Sequence, residues 1–230
     1  YRAGYDGREV VVKISRPHIE QTIGESIYIL KKLLPIATRL IDENLRFSAE
    51  GMLSQFIETV HEEMDYRIEA RNLIEIKNNL KEDKSVIIPK VYLERTSHHV
   101  ITLEYLPGIK VTDIKKLNEF NIDRAKLVYR IHRLFFKMLL RHSIFHADPH
   151  PGNISITNNG TIILYDFGMV GRIDDETRRR LVRLYLGLVD KDPARTTDVL
   201  IELGTLEATV DRRLVERGLE LSIQSLHGKK

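Results

Sequence analysis

Two short motifs in the second half of the chain bring together carboxylate and amide side chains. The segment HADPHPGN sets Asp148 and Asn153 at the two ends of a loop that two prolines make stiff. The sequence DFG, which contains Asp166, follows after one predicted hairpin. Hard oxygen atoms of this kind are the ligands that Mg²⁺ prefers. Because phosphoryl transfer depends on positioning and charge neutralisation, the spacing predicts a magnesium–phosphate centre here.

A lysine and a carboxylate in the first half of the chain complete the set of groups that phosphoryl transfer needs. Lys13 ends a valine-rich strand, and Glu69 on a long acidic helix would hold its flexible stem. Asp65 lies one turn before Glu69, so this helix face is expected to meet a basic partner. Glu62, Glu63 and Asp65 are alternative partners for Lys13, and a lone strand lysine is also typical of a solvated position.

The HADPHPGN segment has two other interpretations. Together with DFG it also resembles ordinary turns rich in Asp, Gly and Pro. Alternatively, His146 and His150 would join Asp148 in a zinc or iron site, because imidazole and carboxylate suit those metals. The DFG sequence has no explanation in such a site. This favours the magnesium centre and leaves His146 as a packing residue.

The predicted elements of the first half must position Lys13 and the acidic helix. An Asp-Gly turn predicts a hairpin whose second strand ends near Lys13. Apolar residues at helical spacing over 19–41, ending at Ile41, predict a first helix. The same spacing over 48–68 predicts one long helix with carboxylates on it. Residues 87–108 predict two strands, with His98 and His99 in or beside their turn.

The second half is predicted to be mostly helical, with a small hairpin at its start. A Pro-Gly pair at 107–108 resembles a hinge between the two halves. The predicted elements that follow are a helix over 123–141, strands at 154–156 and 161–168, and helices over about 175–189, 194–204 and 211–226. This order predicts an α+β fold with two lobes.

Composition excludes several classes of function. The chain has 230 residues, 42% of them apolar, which is enough to bury a core in one domain or two small lobes. Its 36 basic and 33 acidic residues leave a net charge of +3, so we expect no nucleic acid partner. The absence of cysteine excludes disulfides, thiolate metal sites and cysteine nucleophiles. No apolar run approaches the roughly 18 residues of a membrane-spanning helix.

These motifs together resemble the UbiB family of atypical kinases. The resemblance rests on HADPHPGN, the downstream DFG, the strand VVVKISRP and the helix EMDYRIEARN, and it covers residues 1–171. HxDPHPGN and ExDYxxEAxN are specific in combination, whereas DFG alone is weak. The resemblance implies a protein-kinase-like fold with an N-lobe over 1–106 and a C-lobe over 107–230.

The resemblance also implies a role for each motif residue. Lys13 would be the phosphate lysine and Glu69 its ion-pair partner. Asp148 would be the catalytic aspartate, and Asn153 and Asp166 would bind Mg²⁺. With ATP as the nucleotide, these residues would form the catalytic and cofactor-binding site.

Other positions are implied by the same resemblance. Glu63 and Asp65 match the family's E-x-D element, which pairs with a lysine in an N-terminal extension. Glu104 and Leu106, at the hinge, would contact the nucleotide. The resemblance places that extension and an alanine-rich phosphate loop before Tyr1, so we expect residues 1–230 alone to bind ATP weakly.

The expected function is ATP-dependent phosphoryl transfer or ATP hydrolysis that supports isoprenoid-quinone or other lipid metabolism. Few residues separate DFG from the next predicted helix, which leaves no room for the peptide platform of a protein kinase. This favours a small-molecule or lipid-like substrate, or slow ATP hydrolysis. The resemblance to the UbiB family implies a lipid or isoprenoid-quinone precursor and a membrane surface as partners. The implied localisation is cytoplasmic, either peripheral to a membrane or anchored in it through segments outside this chain.

Two alternatives remain open at the level of sequence. A small-molecule kinase of the aminoglycoside or choline kinase type also carries H-x-D-x-x-x-x-N before a DFG-like motif. The E-x-D helix and the strand end at Lys13, Arg16 and Pro17 favour the UbiB family over it. A nucleotide-binding pseudokinase scaffold is the second alternative, and the presence of all the expected polar residues argues against it.

Overall fold

The computed structural model describes residues 1–38 and 43–227 of the chain. Ile41, the last position of the first predicted helix, lies outside the described residues. The described chain divides into two units, one formed by residues 1–128 with 146–170 and the other by residues 129–145 with those from 171 onwards. The predicted lobe boundary between 106 and 107 stays a prediction.

Strands and helices alternate along the chain in an α+β arrangement. The strands are β1 (Arg2–Tyr5), β2 (Arg8–Ile14), β3 (Val86–Ile87), β4 (Val100–Glu104), β5 (Ile109–Lys110), β6 (Ile144–His146), β7 (Ile154–Ile156), β8 (Ile162–Leu164) and β9 (Val170–Arg172). The helices are α1 (Ile19–Ala37), α2 (Glu43–Glu63), α3 (Tyr66–Asn79), α4 (Ile114–Glu119), α5 (Arg124–Arg141), α6 (Asp175–Val189), α7 (Pro193–Glu202) and α8 (Arg212–His227).

The first unit contains an antiparallel sheet in the order β1-β2-β4, which presents Lys13. The predicted hairpin is present, and its turn residues Asp6 and Gly7 have φ of 49° and 69°. Two positive φ values in a two-residue turn match the right-handed twist of the strands, which is why Asp-Gly is favoured there. Lys13 lies on the central strand opposite buried Ile101 of β4. The β1 pairing ends at Val11, so the backbone at Lys13 is held by its pairing with β4.

The prediction of one long helix over 48–68 is wrong, because residues 64–65 interrupt the helix between α2 and α3. Asp65 leaves the helical conformation, with φ of −104° and ψ of 99°, and its side chain accepts a hydrogen bond from the Arg67 N–H. Aspartate is among the best N-cap residues, since its oxygen satisfies an N–H that the first helical turn leaves unpaired. Asp65 therefore starts α3, and it does not share a continuous helix with Glu63.

One of the two strands predicted over 87–108 is also largely missing. β3 ends at Ile87, and beyond it only Val91 forms a bridge, to Leu103 of β4. Pro89 has no N–H to donate to a strand ladder, and a short 3₁₀ turn at Leu93–Arg95 follows. β3 instead pairs in parallel with β8, at the edge of a second sheet ordered β3-β8-β7-β5.

The core of the first unit lies between α3 and the strands. Leu73 and Ile76 of α3, Ile101 of β4 and Phe167 of the DFG sequence are all at most 1% exposed. The β7–β8 hairpin adds a second buried layer, because all six of its strand residues are buried. This packing fixes the two segments at the open end of the hairpin, which carry Asn153 and Asp166 next to each other.

The second unit contains most of α5, most of β6 and β9, and the three C-terminal helices. As predicted, helices cover 175–189, 194–202 and 212–226. Asp174 and Asp192 cap α6 and α7, where their side chains accept hydrogen bonds from backbone N–H groups of the first turn. Gly187 of α6 lies against Thr196 of α7, whose Oγ1 would be 2.8 Å from any added Cβ. The small residue lets these two helices pack closely.

None of the helices in the described part of the chain is long and apolar enough to span a membrane.

Candidate functional site

Three charged side chains from three separate elements meet in the first unit. Lys13 Nζ donates hydrogen bonds to Glu69 Oε1 at 2.6 Å and to Asp166 Oδ2 at 3.2 Å. The exposed fractions of these side chains are 27% for Lys13, 5% for Glu69 and 40% for Asp166. We call these three residues the lysine centre. The structure thus brings together the phosphate lysine, its partner on α3 and the DFG aspartate, whose roles stay a prediction.

The protonation of the lysine centre follows from its burial and its mutual charges. Burial alone would lower the pKa of Lys13, but the carboxylates of Glu69 and Asp166 outweigh it and raise the pKa. Burial raises the pKa of Glu69; Lys13 opposes this effect, and the Asp166 charge adds to it. Burial would also raise the pKa of Asp166, but Lys13 and the Gly168 N–H lower it. The centre therefore depends on a protonated lysine.

Backbone hydrogen bonds tie the DFG sequence to α3. The Phe167 N–H donates to Glu69 Oε1 at 3.5 Å, and Asn72 Nδ2 donates to the Phe167 carbonyl oxygen at 3.2 Å. The Phe167 side chain is fully buried, with its ring 5.4 Å from that of His146. One turn of α3 thus holds both polar atoms of the Phe167 backbone, which fixes Asp166 beside Lys13.

The HADPHPGN loop contributes Asp148 and Asn153 to the same unit. Asn153 Nδ2 donates to Asp148 Oδ2 at 3.1 Å. This leaves the side-chain oxygen Oδ1 of Asn153 as the atom that could bind a cation. The Asp148 N–H in turn donates to His146 Nδ1 at 3.2 Å. The loop therefore holds Asp148 through both its side chain and its backbone.

The alternative zinc or iron site in this loop is not formed. His146 is 3% exposed, and burial lowers its pKa although the Asp166 and Asp148 charges oppose this effect. His150 Nδ1 accepts a hydrogen bond from the Gly152 N–H within the loop. Among the described residues, the metal-type cluster of histidine and carboxylate lies elsewhere, at Glu20, His98 and His99. His146 therefore packs, as predicted.

A cavity of about 540 Å³ opens beside the lysine centre. Among its lining residues, the carboxylates of Glu63, Glu69, Asp148 and Asp166 face a single lysine, Lys13. Burial raises the pKa of Glu63, and the charges of Asp166 and Asp148 raise it further. This excess of hard oxygen donors over positive charge fits a divalent cation such as Mg²⁺.

The two members of the E-x-D element behave differently. Glu63 ends α2 and lines the cavity. Asp65 instead caps α3 and forms an ion pair with Arg67 at 2.7 Å, so Arg67 is the basic partner of this carboxylate within the described residues. Hydrogen bonds from the Arg67 side chain lower the pKa of Asp65. The two residues are therefore not equivalent.

The structure does not bring the predicted hinge residues to this cavity. Glu104 Oε2 accepts a hydrogen bond from the Lys90 N–H at 2.9 Å, so its side chain braces β4. The Leu106 carbonyl oxygen accepts from the Tyr165 hydroxyl at 2.9 Å. Neither Glu104 nor Leu106 lines the cavity beside the lysine centre. Their contact with the nucleotide stays a prediction.

Sequence reasoning missed two residues of the site. Asn72 connects α3 to the DFG backbone, and Tyr66 lines the cavity next to Lys13. Burial raises the pKa of the Tyr66 hydroxyl. Both positions belong to the motif ExDYxxEAxN, so the motif contained the signal although the pattern of charges did not.

Comparison with protein families identifies the domain type. A family model described as "ABC1 atypical kinase-like domain" matches residues 1–200. The chain is 35% identical over 224 residues to the Arabidopsis thaliana "Protein ACTIVITY OF BC1 COMPLEX KINASE 8, chloroplastic". This alignment covers 94% of this chain and 29% of that protein. It is 31% identical to "Uncharacterized protein sll1770" of Synechocystis, over 98% of this chain and 39% of that protein. The chain thus spans about a third of the length of these relatives.

A solved structure has the same fold. The complex of Rv3197 with erythromycin from Mycobacterium tuberculosis matches with a TM-score of 0.74 at 20% identity. The match covers 98% of this chain and 57% of that one. The predicted protein-kinase-like α+β fold is thereby confirmed.

Proposed function

Because this chain belongs to the ABC1 atypical kinase-like family, which confirms the resemblance predicted from its motifs, we propose that it binds ATP with Mg²⁺ for phosphoryl transfer or ATP hydrolysis. The observation that carries the proposal is the lysine centre, in which Lys13 contacts both Glu69 and Asp166. A partly buried lysine held between two carboxylates at the edge of a polar cavity suits a phosphate-binding site.

Each residue has a distinct part in this proposal. Glu69 fixes the stem of Lys13, so that the ammonium group is available to phosphate oxygens without the entropy cost of ordering it first. The Asp166 carboxylate and the Asn153 carbonyl oxygen would hold Mg²⁺. Bound Mg²⁺ would neutralise charge on the phosphates. Asp148, oriented by its hydrogen bond from Asn153, would accept the proton of an attacking hydroxyl or water.

The acceptor is proposed to be a small molecule or a lipid. Between Gly168 and the N-cap of α6 at Asp174, the chain contains only the short strand β9. This is too short for the peptide platform that protein kinases build after DFG. We extend the proposal to isoprenoid-quinone or other lipid metabolism at a membrane surface, which is the role that the UbiB resemblance implies.

The test is magnesium-dependent nucleotide turnover in the full-length protein, with Asp166→Asn as the variant. The amide keeps the shape of the side chain but removes the charge that binds the cation. We expect turnover to fall by a factor on the order of 100 or more. Asp113→Asn is a matched control, because Asp113 caps α4 at the surface and asparagine caps equally well.

The possible results separate the proposal from its alternatives. Unchanged turnover in Asp166→Asn would contradict the role of Asp166. Nucleotide binding without turnover in the wild-type protein would favour the pseudokinase interpretation. Turnover of soluble amino sugars or amino alcohols would favour the small-molecule kinase of the aminoglycoside or choline kinase type.

A further inference from the structure

A second polar cluster lies in the first unit, outside the proposed nucleotide site. Glu20 is in the first turn of α1, whereas His98 and His99 form the bend that precedes β4. We call these three residues the histidine cluster. His98 Nδ1 is 3.3 Å from His99 Nδ1 and 3.4 Å from Glu20 Oε1, and His99 Nδ1 is 3.9 Å from the same oxygen. Three potential metal-binding atoms therefore face one another.

The spacing of these atoms matches the coordination distance of a transition metal. A triangle with sides of 3.3, 3.4 and 3.9 Å has a central point about 2.1 Å from each corner, close to the usual Zn–N and Zn–O distances. Two imidazoles and one carboxylate are a donor set that suits zinc, cobalt and iron rather than magnesium. The three donor atoms thus lie within reach of a single metal ion.

Backbone hydrogen bonds hold both histidines in place. The Tyr66 N–H donates to the His98 carbonyl oxygen at 3.1 Å, and the Ser15 N–H donates to the His99 carbonyl oxygen at 2.9 Å. The bend is thus fixed to α3 on one side and to the end of β2 on the other. Adjacent residues of an extended strand point to opposite faces, whereas this bend turns both rings toward Glu20.

The surroundings leave room for further ligands. A cavity of about 350 Å³ adjoins the cluster, and Glu20, His99, His18 and Arg16 are among its lining residues. Water in this space would complete a four-coordinate site, as in zinc sites with three protein ligands. Arg16 opposes a bound cation, whereas the carboxylate of Asp65 lies near enough to His98 to interact with it electrostatically.

We propose that Glu20, His98 and His99 form a binding site for a divalent transition metal of the zinc class, separate from the magnesium centre. Bound metal would join the start of α1 to the bend before β4. The competing interpretation is a surface cluster of hydrogen bonds that binds no ion, since Glu20 and His99 are exposed. The two interpretations make opposite predictions for metal titration.

The test uses the full-length protein, with Co²⁺ as a spectroscopic probe and Zn²⁺ as a competitor. We expect one equivalent of Co²⁺ to produce visible absorption bands that Zn²⁺ abolishes and excess Mg²⁺ does not. Glu20→Gln, His98→Gln and His99→Gln should each weaken binding by about 10-fold or more. His61→Gln is the matched control, because His61 is an exposed histidine of α2 outside the cluster.

Two further measurements keep the result decisive. Asp166→Asn should leave the Co²⁺ signal unchanged, which separates this site from the proposed nucleotide site. Circular dichroism shows whether the variants are folded. If a histidine variant unfolds, Glu20→Gln still tests metal binding, because it alters only an exposed helix side chain. Absence of Co²⁺ binding in the wild type, or equal binding in the double variant His98→Gln/His99→Gln, would overturn the proposal.

Discussion

The lysine centre and the histidine cluster are both polar clusters of the first unit, but they are built in opposite ways. Glu69 of the lysine centre is 5% exposed, whereas Glu20 of the histidine cluster is 51% exposed. The first cluster is tied to the core through the Phe167 backbone. The second lies at the surface, where backbone hydrogen bonds from Tyr66 and Ser15 hold its two histidines. Buried charges must remain paired, whereas exposed ones can be solvated when a partner is lost.

The largest expected effect follows from removing the amine of the lysine centre. Lys13→Met leaves the Glu69 carboxylate buried without its cation, so the free energy of unfolding should fall by about 1–3 kcal/mol. Nucleotide turnover should fall by a factor on the order of 100, because the phosphates lose their positive partner. Chemical denaturation and steady-state kinetics measure the two effects.

The matched control for this variant is Lys110→Met, at an exposed position of β5. We expect Lys110→Met to change the free energy of unfolding by no more than about 0.5 kcal/mol. Equal effects of the two substitutions would show that the contacts of Lys13 within the lysine centre contribute nothing to stability.

A smaller effect is expected from Glu69→Gln. Lys13 keeps its contact with Asp166, so we expect a loss of about 1 kcal/mol in stability and a roughly 10-fold loss of turnover. In the double variant with Lys13→Met, the losses should be less than additive, because both substitutions break the same pair. Strict additivity in a double-mutant cycle would show that the contact has no energetic weight.

The tie between α3 and DFG is tested by Asn72→Ala. The Phe167 carbonyl oxygen would lose a buried hydrogen bond, so the free energy of unfolding should fall by about 1 kcal/mol or somewhat more. Turnover should fall less than in Lys13→Met, since Asn72 positions Asp166 only indirectly, through its hydrogen bond to the Phe167 carbonyl oxygen. Asn78→Ala, at an exposed position of the same helix, should change neither quantity measurably.

The smallest effect concerns the repulsion between carboxylates in the cavity. The raised pKa of Glu63, caused by burial and by Asp166 and Asp148, means that the folded protein disfavours its ionised form. Its contribution to stability is therefore present below its unfolded pKa of about 4.5 and is lost as the pH rises through the raised value. Glu63→Gln should raise stability at neutral pH by up to about 0.5 kcal/mol. A loss of stability at pH 7 would contradict the assigned repulsion.

Local features of the site could be predicted from the sequence because they depend on neighbouring residues. Proline and glycine define the HADPHPGN loop, and the Asp6–Gly7 turn defines the hairpin before Lys13. The break between α2 and α3 could not be predicted in this way. The apolar residues on either side of Asp65 keep the helical spacing. The helix ends because the Asp65 side chain bonds to the Arg67 N–H as a cap instead of Asp65 continuing the helix.

Contacts between distant segments could not be predicted from the sequence for a different reason. The bond from Asn72 to Phe167 joins residues 95 positions apart, and no periodicity encodes it. The histidine cluster likewise depends on where the start of α1 lies relative to the bend before β4. The sequence predicts His98 and His99 only as turn residues, because nothing in the local pattern points to Glu20. Tertiary structure alone brings Glu20 to them.

A structure of the full-length protein with Mg²⁺ and a non-hydrolysable ATP analogue would show directly whether the lysine centre binds nucleotide. We expect Mg²⁺ bound to oxygens of Asn153 and Asp166, and phosphate oxygens against Lys13 while Lys13 keeps its contact with Glu69. A nucleotide bound away from Lys13, or Mg²⁺ absent from Asp166 in the presence of bound nucleotide, would contradict the proposed nucleotide site.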